Sequence, residues 1–103
     1  YLQWLFYASA TLEPALTELF LAKRRGETGE AQAAAIAPMI TFVARSLAGR
    51  LWLTGEAFSA ADVVLASSLR WLQAMAPEAV PEEIVAYTTR AFARPAARRA
   101  IGI

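Results

Sequence analysis

Apolar residues recur at intervals of three and four along most of this chain, and no stretch alternates in the two-residue rhythm of a half-buried strand. Leucines stand at 5, 12, 16 and 19, and Ile36, Ile40, Val43 and Leu47 repeat the interval. An α-helix turns side chains so spaced onto one face. The expectation is an all-α bundle, and the glycines and prolines between periodic stretches divide it into about five helices. The first covers residues 1–24 and runs into Lys23-Arg24-Arg25-Gly26, cations and a glycine suited to a helix C-terminus. Pro14 inside it leaves the Ala10 carbonyl without its donor and should bend the axis. The second covers 30–48, with another expected kink at Pro38 and Gly49 as its stop. The third, 60–76, is apolar nearly all round, broken by Asp62, Ser67, Ser68, Arg70 and Gln73, so it belongs in the middle of the bundle. Pro77 ends it. Pro81 with Glu82 and Glu83 opens the fourth helix, Ile84, Tyr87 and Ala91 facing inward, and Pro95 opens a short fifth.

The residue inventory decides which chemistry this bundle can carry. With 103 residues, 57% of them hydrophobic, the chain supports one domain over 1–103 with a small core. Ten Lys and Arg against nine Asp and Glu leave a formal charge of +1, which provides no field for nucleic acid or an anionic membrane, and neither is expected as a partner. The absence of cysteine and histidine removes disulfides, thiolate nucleophiles, imidazole bases and the usual zinc sites. No catalytic residue and no metal site is therefore expected in the chain. Charges interrupt every apolar run before a membrane span is reached and no signal peptide opens the sequence, which makes cytoplasmic the expected location. The sequence enters helical periodicity directly at Tyr1, so it is expected to be a piece of a longer protein.

Before the third periodic stretch stands Phe58-Ser59-Ala60-Ala61-Asp62-Val63. Ser59 is placed as a helix N-cap whose hydroxyl accepts from the Asp62 amide, while the Asp62 carboxylate reaches back to the Ser59 amide. This is a capping box with Asp where Glu is commoner. Phe58 before the cap and Val63 inside the helix are placed to close a hydrophobic staple. Ser59 and Asp62 are accordingly expected to serve folding, not catalysis.

That stretch, with Leu51-Trp52-Leu53-Thr54-Gly55 before it, Leu69-Arg70-Trp71 after it and Arg94-Pro95-Ala96 near the end, resembles the C-terminal helical domain of glutathione S-transferases, the bacterial cytosolic branch above all. Trp4-Leu5-Phe6-Tyr7 and Leu12-Glu13-Pro14-Ala15-Leu16 are similar to the first helix of that domain, so the resemblance spans essentially the whole chain. It implies conjugation of glutathione to small hydrophobic electrophiles. Glutathione, the cosubstrate, would be bound mainly by a separate thioredoxin-like N-terminal domain that is not among these residues and that also activates the thiol. The helical domain would supply the electrophile's apolar pocket and the surface of a homodimer. Similar domains serve as non-catalytic docking and dimerisation modules, and related glutathione-dependent proteins act as isomerases, dehalogenases or peroxidases; both alternatives stay open here.

At roughly 100° per residue the first helix carries a core stripe of Leu5, Leu12, Leu16 and Leu19 between two flanks. Trp4, Tyr7, Ala8 and Thr11 form one, and Leu2, Phe6, Ser9, Ala10 and Glu13 the other. The resemblance assigns Trp4, Tyr7 and Thr11 to the dimer interface and Phe6, Ser9 and Glu13 to the cleft facing the N-terminal domain. It further implies that Leu16 and Trp71 line the electrophile's pocket. Composition alone reads Trp71 as core and Glu13 as a solvated carboxylate. Arg90, Arg94, Arg98 and Arg99 read as a solvated face.

Overall fold

The computed structural model describes residues 2–55 and 57–94, and among them every regular element is helical apart from one isolated bridge between Trp52 and Gly55. The first expected helix has three parts: α1 (Leu2–Tyr7), a π-helical turn (Ala8–Leu12) and α2 (Glu13–Arg24). In the π turn the Glu13 N–H donates to the Ala8 carbonyl, five residues back. Pro14 cannot donate, and the widened turn just ahead of it takes up the expected distortion. The remaining helices are α3 (Glu30–Leu47), α4 (Ala60–Met75) and α5 (Glu82–Phe92). With α1 and α2 counted as one rod, four helical rods stand where about five were expected; the one opened by Pro95 falls outside the described residues. Helix α3 runs through Pro38 on its exposed side, beside Ala34 and Ala37, where the carbonyl that the ring leaves without a donor can turn to water. Pro81 precedes α5 as its cap instead of occupying its first turn, and Pro77 starts a short 3-10 turn (Pro77–Ala79) that sequence periodicity did not signal.

Helix α4 sits in the middle, as its all-round apolarity requires, packing on α5, α1, α2 and the π turn, while α3 packs against α2. Its buried side chains are Ala61, Asp62, Leu65, Ala66, Ser68, Leu69 and Leu72. Leu12, Leu16 and Leu19 meet them from the first rod, Ile36, Ile40, Val43 and Leu47 from α3, and Ile84, Tyr87 and Ala91 from α5, all in one contiguous core. Leu5 is partly buried against that core. Ala8, assigned to a flank on periodicity, is fully buried instead, completing the stripe between Leu5 and Leu12.

Two glycine turns set the helix directions. After α2 the chain closes as a Schellman motif, with Gly26 at φ 81°, its N–H donating to the Lys23 carbonyl and the Glu27 N–H to the Ala22 carbonyl. Between α3 and α4, Trp52 and Gly55 exchange two backbone bonds of 3.0 Å, making a tight turn. Phe58, the outer half of the expected staple, packs edge to face on Trp52 with ring centroids 4.8 Å apart.

The capping box is present, and it is half of a larger structure. The Ser59 N–H donates to Asp62 Oδ2 at 2.9 Å, the Ser59 hydroxyl donates to the same oxygen at 3.0 Å, and the Asp62 amide faces the Ser59 side chain. The second carboxylate oxygen, Oδ1, accepts the Leu53 N–H at 2.9 Å and the Tyr87 hydroxyl at 2.7 Å. Asp62 is completely inaccessible to solvent. One carboxylate thus ties the start of α4 to the preceding turn and to α5, and its four donors compensate its removal from water. Burial pushes the Tyr87 phenol well above its usual range, and its bond and proximity to Asp62 push it further; Arg90 opposes the shift. Arg90 departs from the solvated face expected of it, whereas Arg94 is exposed. The Arg90 guanidinium is half-buried over Trp52 and Tyr87 and donates to the Leu51 carbonyl at 3.1 Å, while Arg94 lies over Phe58 at 4.6 Å. Arg98 and Arg99 lie outside the described residues.

Candidate functional site

The face shared by α2 and α4 carries two of the expected site residues, Trp71 and Glu13, each paired with a residue not expected there. Trp71 on α4 is partly buried and meets Phe20 on α2, ring centroids 5.6 Å apart at 49°. Phe20 was not singled out by the sequence reasoning, although it lies four residues after Leu16 and could have been found by carrying the helical spacing past Glu13. The Arg24 guanidinium covers the Phe20 ring at 5.7 Å. Farther back along α2, Glu13 accepts a long hydrogen bond of 3.5 Å from the Ser68 hydroxyl, one turn before Trp71 on α4. The Ser68 hydroxyl also lies 3.2 Å from the Val64 carbonyl, so its single proton is divided between two acceptors and leaves the exposed Glu13 carboxylate free to bond elsewhere.

Phe6 and Ser9 precede this pair on the first rod. Phe6 is 69% exposed, and Leu2 one turn before it is 66% exposed. Ser9 is exposed and its hydroxyl donates to the Leu5 carbonyl at 3.0 Å, one turn back. Leu16 is different: it is completely buried and presents no surface to a ligand. Its place is in the core of the helix that carries Phe20. The arrangement is an aromatic wall with a carboxylate and a hydroxyl at one end and a guanidinium at the other. A wall of this kind holds a flat apolar molecule by area and orients it by its polar substituents.

The opposite flank forms a separate aromatic surface. Trp4 and Tyr7 meet edge on at 5.8 Å, and both rings contact Phe42 of α3, at 5.6 and 5.2 Å. The Tyr7 hydroxyl donates a long bond of 3.5 Å to the Met39 carbonyl. Burial raises the Tyr7 phenol above its ordinary value. Trp4 and Tyr7 are thus half-buried within the chain, whereas Thr11 is exposed and Phe42 is 50% exposed. Phe42 escaped the sequence reasoning because it follows the core residue Ile40 by two and belongs to no stripe.

Among the described residues no cluster of acidic side chains is arranged to hold a metal ion, and no helix is long and apolar enough to cross a membrane. An all-α bundle, centred on a helix that opens with a buried capping box and carrying an aromatic wall on its outer face, is the class of structure at hand. Residues 26–99 match the family model described as "Glutathione S-transferase, C-terminal domain", which covers most of the chain. The chain belongs to that family. No curated protein and no solved structure matches it.

Proposed function

We propose that this domain is the electrophile-binding and dimerising half of a glutathione transferase, acting together with a thioredoxin-like domain that binds glutathione and activates its thiol. In the reaction the glutathione thiolate forms a carbon–sulfur bond to the electrophile, and the leaving group departs with the bonding electron pair. The chain's own contribution is positional. Phe20 and Trp71 bury one face of an aromatic electrophile, Phe6 offers further apolar surface, and Ser9 and Glu13 meet its polar substituents. Holding the electrophile against a bound thiolate turns an encounter between two molecules into an internal step. The observation that carries this reading is the half-buried Phe20–Trp71 pair on the face between α2 and α4. Leu16, which has no free surface, contributes packing.

The family supports glutathione as cosubstrate, a homodimer and a cytoplasmic location, and each forms part of the proposal. The test is steady-state kinetics of the protein joined to its glutathione-binding domain. Truncating Phe20 or Trp71 should weaken use of the electrophile more than use of glutathione. A second reading, a docking or dimerisation module without turnover, draws on the aromatic surface of Trp4, Tyr7 and Phe42; unaltered kinetics in the Phe20 and Trp71 variants, with association lost in variants of that surface, would favour it.

A further inference from the structure

A groove of about 460 Å³ runs between α4 and α5, lined by Arg70, Gln73, Thr88, Thr89, Phe92 and Ala93. Its volume lies within the range of small-molecule sites, roughly 300 to 1,000 Å³. Arg70 and Trp71 are consecutive on α4 and so point about 100° apart, and the groove shares no residue with the aromatic wall. None of its lining residues is acidic. The Arg70 guanidinium lies over the Phe92 ring, 4.4 Å from the centroid, and bonds to no acceptor among the described residues. Stacking restrains a side chain that would otherwise lose much rotamer freedom on binding a ligand. The Thr88 hydroxyl lies 2.9 Å from Gln73 Oε1 and 3.0 Å from the Val85 carbonyl, its one proton shared between them, and the Gln73 amide NH₂ bonds to no acceptor among the described residues. Thr89 adds a hydroxyl on the exposed side.

We propose that this groove binds a small organic anion, with Arg70 as the charged anchor and Gln73 and Thr89 as further donors. A planar carboxylate or a phosphoryl group fits the guanidinium fork, and an aromatic body can stack beside Phe92. The last turn of α5 presents carbonyls, whose partial negative charge opposes an anion, so affinity rests on Arg70 and weakens as salt rises. The proposal is independent of the function assigned to the aromatic wall.

Heteronuclear NMR titration of this chain tests it, with phenyl phosphate and benzoate as probes and neutral benzamide as control. Saturable shifts at the Gln73 side-chain amide and the Thr89 amide are expected with one or both anions and not with benzamide. The tighter anion identifies the headgroup. Arg70→Gln should raise the dissociation constant about tenfold or more, the loss of one charge-assisted contact, while Arg45→Gln on α3 leaves it unchanged. Gln73→Glu keeps the acceptor for Thr88 but sets a negative charge in the groove, and should abolish binding even if Arg70→Gln does not fold. Equal shifts with benzamide, no shifts with any probe, or anion binding that survives Gln73→Glu would overturn the proposal.

Discussion

Four donors converge on Asp62: the Leu53 and Ser59 amides and the hydroxyls of Ser59 and Tyr87. Replacing it by alanine strands two of them, the Leu53 amide and the Tyr87 hydroxyl, in a dry interior, and at ~1 to 3 kcal/mol for each unsatisfied buried group, partly relieved by relaxation, Asp62→Ala should destabilise the domain by about 2 to 5 kcal/mol. Denaturant unfolding measures this; a loss of the ~1 kcal/mol typical of an exposed cap would mean that the Leu53 and Tyr87 bonds contribute nothing. Tyr87 supplies a pH signature. Its phenol is raised above the usual value of 10.0 in the folded state, so its contribution is complete below that pH and is lost as pH rises beyond it, where the unfolded chain releases the proton and the folded chain retains it. Tyr7, raised by burial alone, adds in the same direction. Stability measured at successive alkaline pH values should therefore fall, and Tyr87→Phe should flatten most of that slope. The cap was legible because Ser59 and Asp62 are three residues apart. Leu53 and Tyr87 were not, being nine and 25 residues from Asp62 with no local signal that joins them. The same limit applies to Arg90, which counted by charge belongs to water and in the fold covers Trp52.

At the scale of elements, the α2–α3 turn depends on one close approach. Gly29 has φ 76°, and a Cβ built there would lie 2.6 Å from Leu19 Cδ1, a buried side chain with little room to yield. Gly49 has a similar φ of 73° and open space around it. Gly49→Ala should therefore cost about 1 kcal/mol for the left-handed backbone alone, and Gly29→Ala about 2 to 4 kcal/mol because overpacking is added. Thermal or denaturant melts of the pair isolate the clash, and equal losses would show that Leu19 moves aside freely. The stops at Gly26 and Gly49 and the inward stripes of α3 and α5 were readable from spacing, since burial there follows the helical period closely. The π turn was not: Pro14 announced a distortion, but whether the chain bends or widens depends on what the first rod packs against. Ala8 fits the core spacing of three and four between Leu5 and Leu12, and its small side chain hid it.

For the whole molecule, two outer faces carry the proposed function, and they differ in how they could be seen. The aromatic surface of Trp4, Tyr7 and Phe42 leaves a half-exposed phenylalanine that an isolated monomer gains nothing by presenting. Phe42→Glu should shift sedimentation of a dimer to monomer while leaving the helical content intact, because Phe42 is outside the core; unchanged association would remove this face from the interface. The wall between α2 and α4 was half legible: Trp71 came from the family's sequence pattern, and Phe20 required the fold that sets it opposite. The measurement that bears most directly on the account is the pair of Michaelis constants in the protein joined to its glutathione-binding domain, for an aryl halide and for glutathione, in Trp71→Ala and Phe20→Ala beside the melting temperature of each variant. Losing one aromatic contact of ~1 to 1.5 kcal/mol should raise KM for the aryl halide about five- to tenfold and leave that for glutathione within about twofold, in variants that remain folded. Equal changes for both substrates accompanied by a large drop in melting temperature would contradict it, and would make the Phe20–Trp71 pair packing instead of a wall.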